Sequence, residues 1–153
     1  MTDLYEVVEE KLGHGTYVTL TPKGPHNWTL IWLHGVGPHS YTCKEHFMDP
    51  EQNGLPPGCK IIIPVPPEHK TVKDKGFWYL MLKFHVPERP FDEELKPCVF
   101  EDHVNQESLQ KSIDMVIAII KKEVNELQDS RKVFIGGFSR GVGVALGAYL
   151  QFD

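Results

Sequence analysis

The chain has 153 residues, 41% hydrophobic and 24% charged, enough for one buried core and too few for two ordinary domains. Its net charge of -5, with no local cluster of Lys and Arg, excludes the electrostatic footprint of a nucleic-acid or anionic-membrane binder. Cys43, Cys59 and Cys98 are odd in number and widely spaced, which fits reduced thiols rather than a disulfide framework. The acidic start, Met1 to Glu6, lacks a signal-peptide layout, and no apolar run approaches the roughly 20 residues of a membrane span. The simplest placement is cytoplasmic.

Residues 1–15 carry a short amphipathic piece, Leu4, Val7 and Val8 among acids, ending in a turn at Gly13-His14-Gly15. Thr16 to Thr21 is rich in β-branched residues and alternates Tyr17 and Thr19 against Val18 and Leu20, as a half-buried strand does. Trp28 to Leu33 is a nearly continuous apolar run, as expected of a central strand covered on both faces. It stops at His34-Gly35-Val36-Gly37. Between Pro38 and Gly58, the span Tyr41 to Asp49 suits a short helix that places Tyr41, Phe47 and Met48 on the core. Lys60 to Val65 predicts a third buried strand, cut off by Pro64, Pro66 and Pro67, which cannot extend a central ladder. Residues 66–103 form a long Pro-punctuated excursion, in which Phe77 to Leu82 is apolar enough to fold back over something. Asn105 to Gln128 predicts the clearest helix, with Leu109, Ile113, Val116, Ile117, Ile120, Val124 and Leu127 recurring three and four residues apart. A buried strand from Val133 to Ile135 follows, then a helix from Val142 to Leu150 with Gly143 and Gly147 on a close-packing face. Strands separated by helix-length connections imply a parallel sheet with crossover helices.

Between that last strand and helix stands Gly137-x-Ser139-x-Gly141. A serine on a sharp strand-to-helix turn, with glycines two residues either side, meets the steric demand of a nucleophile elbow. A serine hydroxyl also needs a base to take its proton and preorganised N–H donors for the developing oxyanion. In such an architecture the donors are the backbone N–H of the residue after the serine and one from a loop after an earlier central strand. Arg140 and Val36 occupy those positions. The plainer alternative for Ser139 is a tight turn of another α/β protein, such as a phosphate-binding loop. His39 and His46, seven residues apart and without a carboxylate pattern, read as solvated side chains rather than metal ligands.

Leu33-His34-Gly35-Val36-Gly37, Trp78-Tyr79 and Gly136-Gly137-Phe138-Ser139-Arg140-Gly141, in this order and spacing, resemble the acyl-protein thioesterase and carboxylesterase/phospholipase branch of the α/β-hydrolases. The resemblance implies an α/β-hydrolase-like, mostly parallel sheet with crossover helices, a single domain over residues 1–153 that is cut short after the nucleophile helix. It implies hydrolysis of acyl thioesters or carboxyl esters by a Ser-His-Asp triad, with no metal or organic cofactor. Ser139 maps onto the nucleophile, Val36 and Arg140 onto the oxyanion donors, and Trp78 and Tyr79 onto core, lid or substrate-side positions. The sequence departs from the family pattern at Pro38, Leu80, Arg140 and Val142, where the family has Asp, Asp, Gln and Gly. Arg140 is open to two readings, a solvated side chain or a carboxylate partner.

Triad order in this fold is Ser, then Asp, then His. Residues 140–153 contain no histidine, and Asp153 falls too soon. The strand carrying the elbow would also expose an edge that ought to be covered. Either a further C-terminal segment or another chain is expected to cover it and to supply the Asp and His. Three functions stay open: an acyl-serine hydrolase, an inactive hydrolase scaffold within a larger assembly, or an acyl-chain binding module.

Overall fold

A computed structural model describes residues 4–12, 15–35, 40–49, 54–67, 77–81 and 104–152. Five strands, β1 (Tyr5–Leu12), β2 (Gly15–Pro22), β3 (Trp28–Leu33), β4 (Cys59–Val65) and β5 (Val133–Gly137), form one sheet in the order β1-β2-β4-β3-β5. β1 and β2 pair antiparallel, as do β2 and β4, whereas β3 runs parallel to both β4 and β5. The sheet is therefore mixed, with its parallel part at the β5 side.

Helices cover it on both faces. On one face α1 (Ser40–Met48) lays Phe47 and Met48 against Val18, Leu20, Cys59, Ile61 and Ile63. On the other, α2 (Gln106–Leu127) and α3 (Arg140–Gln151) pack Ile113, Val116, Ile119, Val144 and Ala148 against Ile31, Leu33 and Ile62. The alternating burial of β3 follows from this arrangement: Ile31 and Leu33 meet α2 and α3, while Trp28, Leu30 and Trp32 turn to the α1 side. Gly147 allows α2 and α3 to approach, since a Cβ there would lie 2.5 Å from Ile113 Cδ1.

The expected helix at Asn105 to Gln128 is present with chemically defined ends. Asn105 caps α2 by accepting from Ser108 N at 2.8 Å, and Gln128 closes it in the left-handed region at φ 53°. The helix expected around Tyr41 to Asp49 is also present as α1; the side chain of Tyr41 lies outside the described residues.

Three expectations are corrected. Residues 5–12 are not an isolated amphipathic piece but the outer strand β1, paired along its length with β2. Proline 64 does not stop β4. The β3–β4 ladder ends at Ile31–Ile62, so Pro64 sits where only β2 pairs with the strand, opposite Tyr17. β5 is not fully buried: it lies at the sheet edge, and Phe134 is 50% exposed.

On the α2 face, Thr19 is fully buried and its hydroxyl has no partner among the described residues. Leaving a buried hydroxyl unsatisfied costs about 1–3 kcal/mol. Thr19→Val, which keeps the shape and removes the polar atom, is expected to raise stability by about 1 kcal/mol, read as a higher urea midpoint at unchanged slope.

Candidate functional site

The parallel strands β3 and β5 deliver their C-terminal ends side by side, with Leu33 opposite Gly137. At that point β5 turns into α3 through Phe138 and Ser139. Ser139 has φ 53° and ψ −121°, an uncommon backbone state for a residue with a side chain, and it is exposed. Such a state costs on the order of 1–3 kcal/mol and persists only where surrounding contacts impose it. Here they are visible. Phe138 N donates to Leu33 O at 2.9 Å, Gly141 N to Phe138 O at 2.9 Å, and Val142 N to Ser139 O at 3.0 Å. Ser139→Gly is accordingly expected to stabilise the fold by about 1 kcal/mol, measurable as a rise in thermal midpoint.

The flanking glycines are required by space. A Cβ on Gly137 would meet the Gly141 carbonyl carbon at 2.7 Å, and one on Gly141 would come within 2.2 Å of Leu33 O and 2.7 Å of His34 O. The start of α3 is thus pressed directly against the end of β3. Arg140 is the first residue of α3, so its N–H belongs to the helix N-terminus, where backbone donors and the helix dipole favour negative charge. Val36 lies outside the described residues, as do His39, His69, His85 and His103.

The segment 77–81 braces this turn. Trp78 is fully buried, donates from Nε1 to His34 O at 2.6 Å, and sets its ring 5.4 Å from that of His34. Its own carbonyl accepts from Ser112 Oγ of α2. Leu80 N donates to Ser108 Oγ at 2.9 Å, and Asn105 N to Leu80 O at 2.9 Å. Tyr79 is 5% exposed, with its hydroxyl against Gly143 of α3. Trp78 and Tyr79 are therefore packed between α2, α3 and the end of β3. The Arg140 guanidinium lies over the Phe77 ring at 5.0 Å and the Tyr79 ring at 5.7 Å, with Nη1 3.5 Å from Tyr79 O. It is thus held by aromatic faces, a role that neither sequence reading of Arg140 included. Burial pushes the Tyr79 phenol up, and the Arg140 charge opposes the shift.

The described residues offer little competition for a nucleophilic role. Burial raises the thiols of Cys43 and Cys59, which keeps them protonated and unreactive at neutral pH. His34 is buried and its Nδ1 donates to Gly35 O at 2.7 Å. Among the described residues Ser139 Oγ makes no hydrogen bond to a base.

A second polar cluster occupies the opposite end of the strands. Ligand atoms of His26, Glu123 and Glu126 lie within 4.8 Å of one another. Lys60 Nζ, however, sits 2.9 Å from Glu123 and 3.2 Å from Glu126. Thr29 Oγ1 donates to Glu123 at 2.9 Å, and His26 Nδ1 lies 3.0 Å from Glu126. Burial works to raise the Glu126 carboxyl, but the hydrogen bond and charge of Lys60, then those of His26, outweigh it and hold the group below the usual carboxylate range. The ammonium already sits between the two carboxylates and balances one of their two charges, so the cluster ties α2 to the starts of β3 and β4 rather than presenting a metal centre. Sequence reading missed it because Glu123 and Glu126 look like ordinary polar positions of a helix.

The profile of the phospholipase/carboxylesterase family matches residues 14–152. The chain belongs to that family. Its fold is of the α/β-hydrolase type, as a solved structure also shows: acyl-protein thioesterase 2 from Zea mays superposes with a TM-score of 0.56 at 24% identity, over 86% of this chain and 49% of that one. The chain spans about half the length of that thioesterase. No curated protein matches it significantly. Within this family member no helix of the described residues is long and apolar enough to cross a membrane.

Proposed function

We propose that this chain is the nucleophile-bearing part of a cytoplasmic serine hydrolase that cleaves acyl thioesters or carboxyl esters through an acyl-serine intermediate. The observation that carries the reading is the strained turn at Ser139, which projects an exposed hydroxyl from the C-terminal end of the parallel strands. In the reaction Ser139 Oγ attacks the acyl carbonyl carbon as a base removes its proton. The carbonyl oxygen becomes an oxyanion held by the Arg140 N–H and, on the family pattern, by that of Val36. Collapse expels the alcohol or thiol, which takes the proton back, and water then releases the acid by the same route. The base and its orienting carboxylate come from outside the described residues.

A fluorophosphonate probe on the folded protein tests the assignment. Covalent labelling at Ser139, abolished in Ser139→Ala with the thermal midpoint preserved, is the expected result. A folded, full-length preparation that does not label would sink it. The second reading, a catalytically inactive hydrolase scaffold, would then stand; it is favoured by the lack of a base on Ser139 among the described residues.

A further inference from the structure

Arg140 stands where the family pattern has glutamine, and its surroundings depart from both roles that its sequence suggests. It is the first residue of α3, directly after the strained Ser139. Its guanidinium carbon lies 5.0 Å from the centre of the Phe77 ring and 5.7 Å from that of Tyr79, with Nη1 3.5 Å from Tyr79 O. A neutral glutamine amide has no charge to offer two ring faces, so this seat suits the guanidinium.

The seat is firm because its walls are tied to the rest of the fold. Trp78, between the two rings in sequence, is fully buried and donates to His34 O. Trp78 O accepts from Ser112 Oγ, Leu80 N donates to Ser108 Oγ, and Met81 bridges to Val104 just before α2. Arg140 is therefore held at two points, by its main chain at the β5 turn and by its side chain on a frame anchored to α2 and the end of β3. The plane of the peptide joining Ser139 to Arg140 depends on ψ of Ser139, −121°, and on φ of Arg140. Anchoring the Arg140 side chain restricts the second rotation, and with it the direction of the Arg140 N–H. Hydrogen bonds weaken steeply with misalignment, and an oxyanion donor is effective only when it is aimed in advance.

We propose that Arg140 acts through its side chain as a positioning residue for acyl transfer at Ser139: seated on Phe77 and Tyr79, the guanidinium fixes the direction of the residue's own backbone N–H toward the oxyanion. The chemistry rests on the hydrolase reading of Ser139, while the hold on the turn is a matter of geometry and is measurable without any reaction.

The test compares the wild-type protein with Arg140→Met, which keeps the length and apolar stem but removes the charge, with Arg140→Lys, and with Phe77→Leu, which removes one wall of the seat. Two readouts are taken: the rate of fluorophosphonate labelling against probe concentration, and amide hydrogen exchange. In Arg140→Met and Phe77→Leu the limiting labelling rate is expected to fall on the order of 10-fold at an unchanged half-saturating concentration, with Arg140→Lys between them and wild type. The Gly141 and Val142 amides, which bond to Phe138 O and Ser139 O, are expected to exchange on the order of 10-fold faster, while β4 amides, which report the whole fold, keep their rates. Unchanged exchange at Gly141 and Val142 overturns the proposal whether or not Ser139 reacts. So does an unchanged limiting rate, a change confined to the half-saturating concentration, as a substrate contact would give, or faster exchange shared equally by β4, as a purely stabilising role would give. If the wild-type protein does not label, the hydrolase reading fails, and the exchange comparison alone decides whether Arg140 sets the turn. If Arg140→Met does not fold, Phe77→Leu, with Arg140 in place, is judged by the same outcomes.

Discussion

Glu123→Ala is expected to cost about 3 kcal/mol of folding stability, lowering the thermal midpoint by roughly 10 °C. Glu123 is fully buried and accepts from Thr29 Oγ1 and Lys60 Nζ, both at 2.9 Å. Its removal leaves a 6%-exposed lysine facing, among the described residues, the more exposed Glu126 at 3.2 Å. The penalty comes from leaving that buried cation with a half-exposed partner more than from the lost attraction, because desolvation offsets much of what a buried pair gains. The double variant Lys60→Met with Glu123→Leu removes both charges and is expected to recover most of the loss. If the double variant is no more stable than Glu123→Ala, the packing of Glu123 rather than charge dominates. Thermal unfolding of the three proteins at one salt concentration decides it.

Gly141→Ala is expected to destabilise by at least about 3 kcal/mol and to abolish probe labelling. The new methyl would fall 2.2 Å from Leu33 O, and the atoms it meets belong to backbone, so no rotamer change relieves the clash. The turn must move away from β3, and Ser139 with it. Gly143→Ala, two residues along, is the control. Its methyl would sit 3.5 Å from the Tyr79 hydroxyl, an ordinary contact, inside a helix where alanine is favoured over glycine by about 1 kcal/mol. Opposite signs for two Gly-to-Ala changes in one helix would show that crowding against β3, and not helix propensity, governs the turn. Equal effects would remove that explanation.

The parts of this fold legible in the sequence are those whose physics is local. α2 declared itself through apolar spacing over 22 residues and through Asn105 and Gln128 at its ends. The Ser139 turn was legible because two glycines at fixed offsets report a steric demand directly. β1 was not legible: its sequence, YEVVEEKL, lies at an edge where neither face imposes alternation. The run through Pro64 depended on where β3 stops pairing, which no property of Pro64 reveals. The stacking of Arg140 on Phe77 and Tyr79 joins residues about 60 apart, and so does the reach of Lys60 to Glu123. Such contacts follow from topology and cannot be read from any window of sequence.

The register between β3 and β5 has a consequence for how the molecule is made. Thr29 pairs with Val133 and Leu33 with Gly137, so the two walls of the Ser139 turn come from segments about a hundred residues apart. Closing a loop of that size carries an entropy cost before any contact rewards it, and non-local pairing of this kind slows folding. The backbone state of Ser139 depends on Leu33 O, which accepts from Phe138 N only once β5 has docked. During synthesis β1 to β4 can associate while α2 is still emerging, but the reactive geometry cannot exist before β5 arrives. The site therefore forms only once β5 has docked on β3, and a partly folded chain carries the serine without its strained turn.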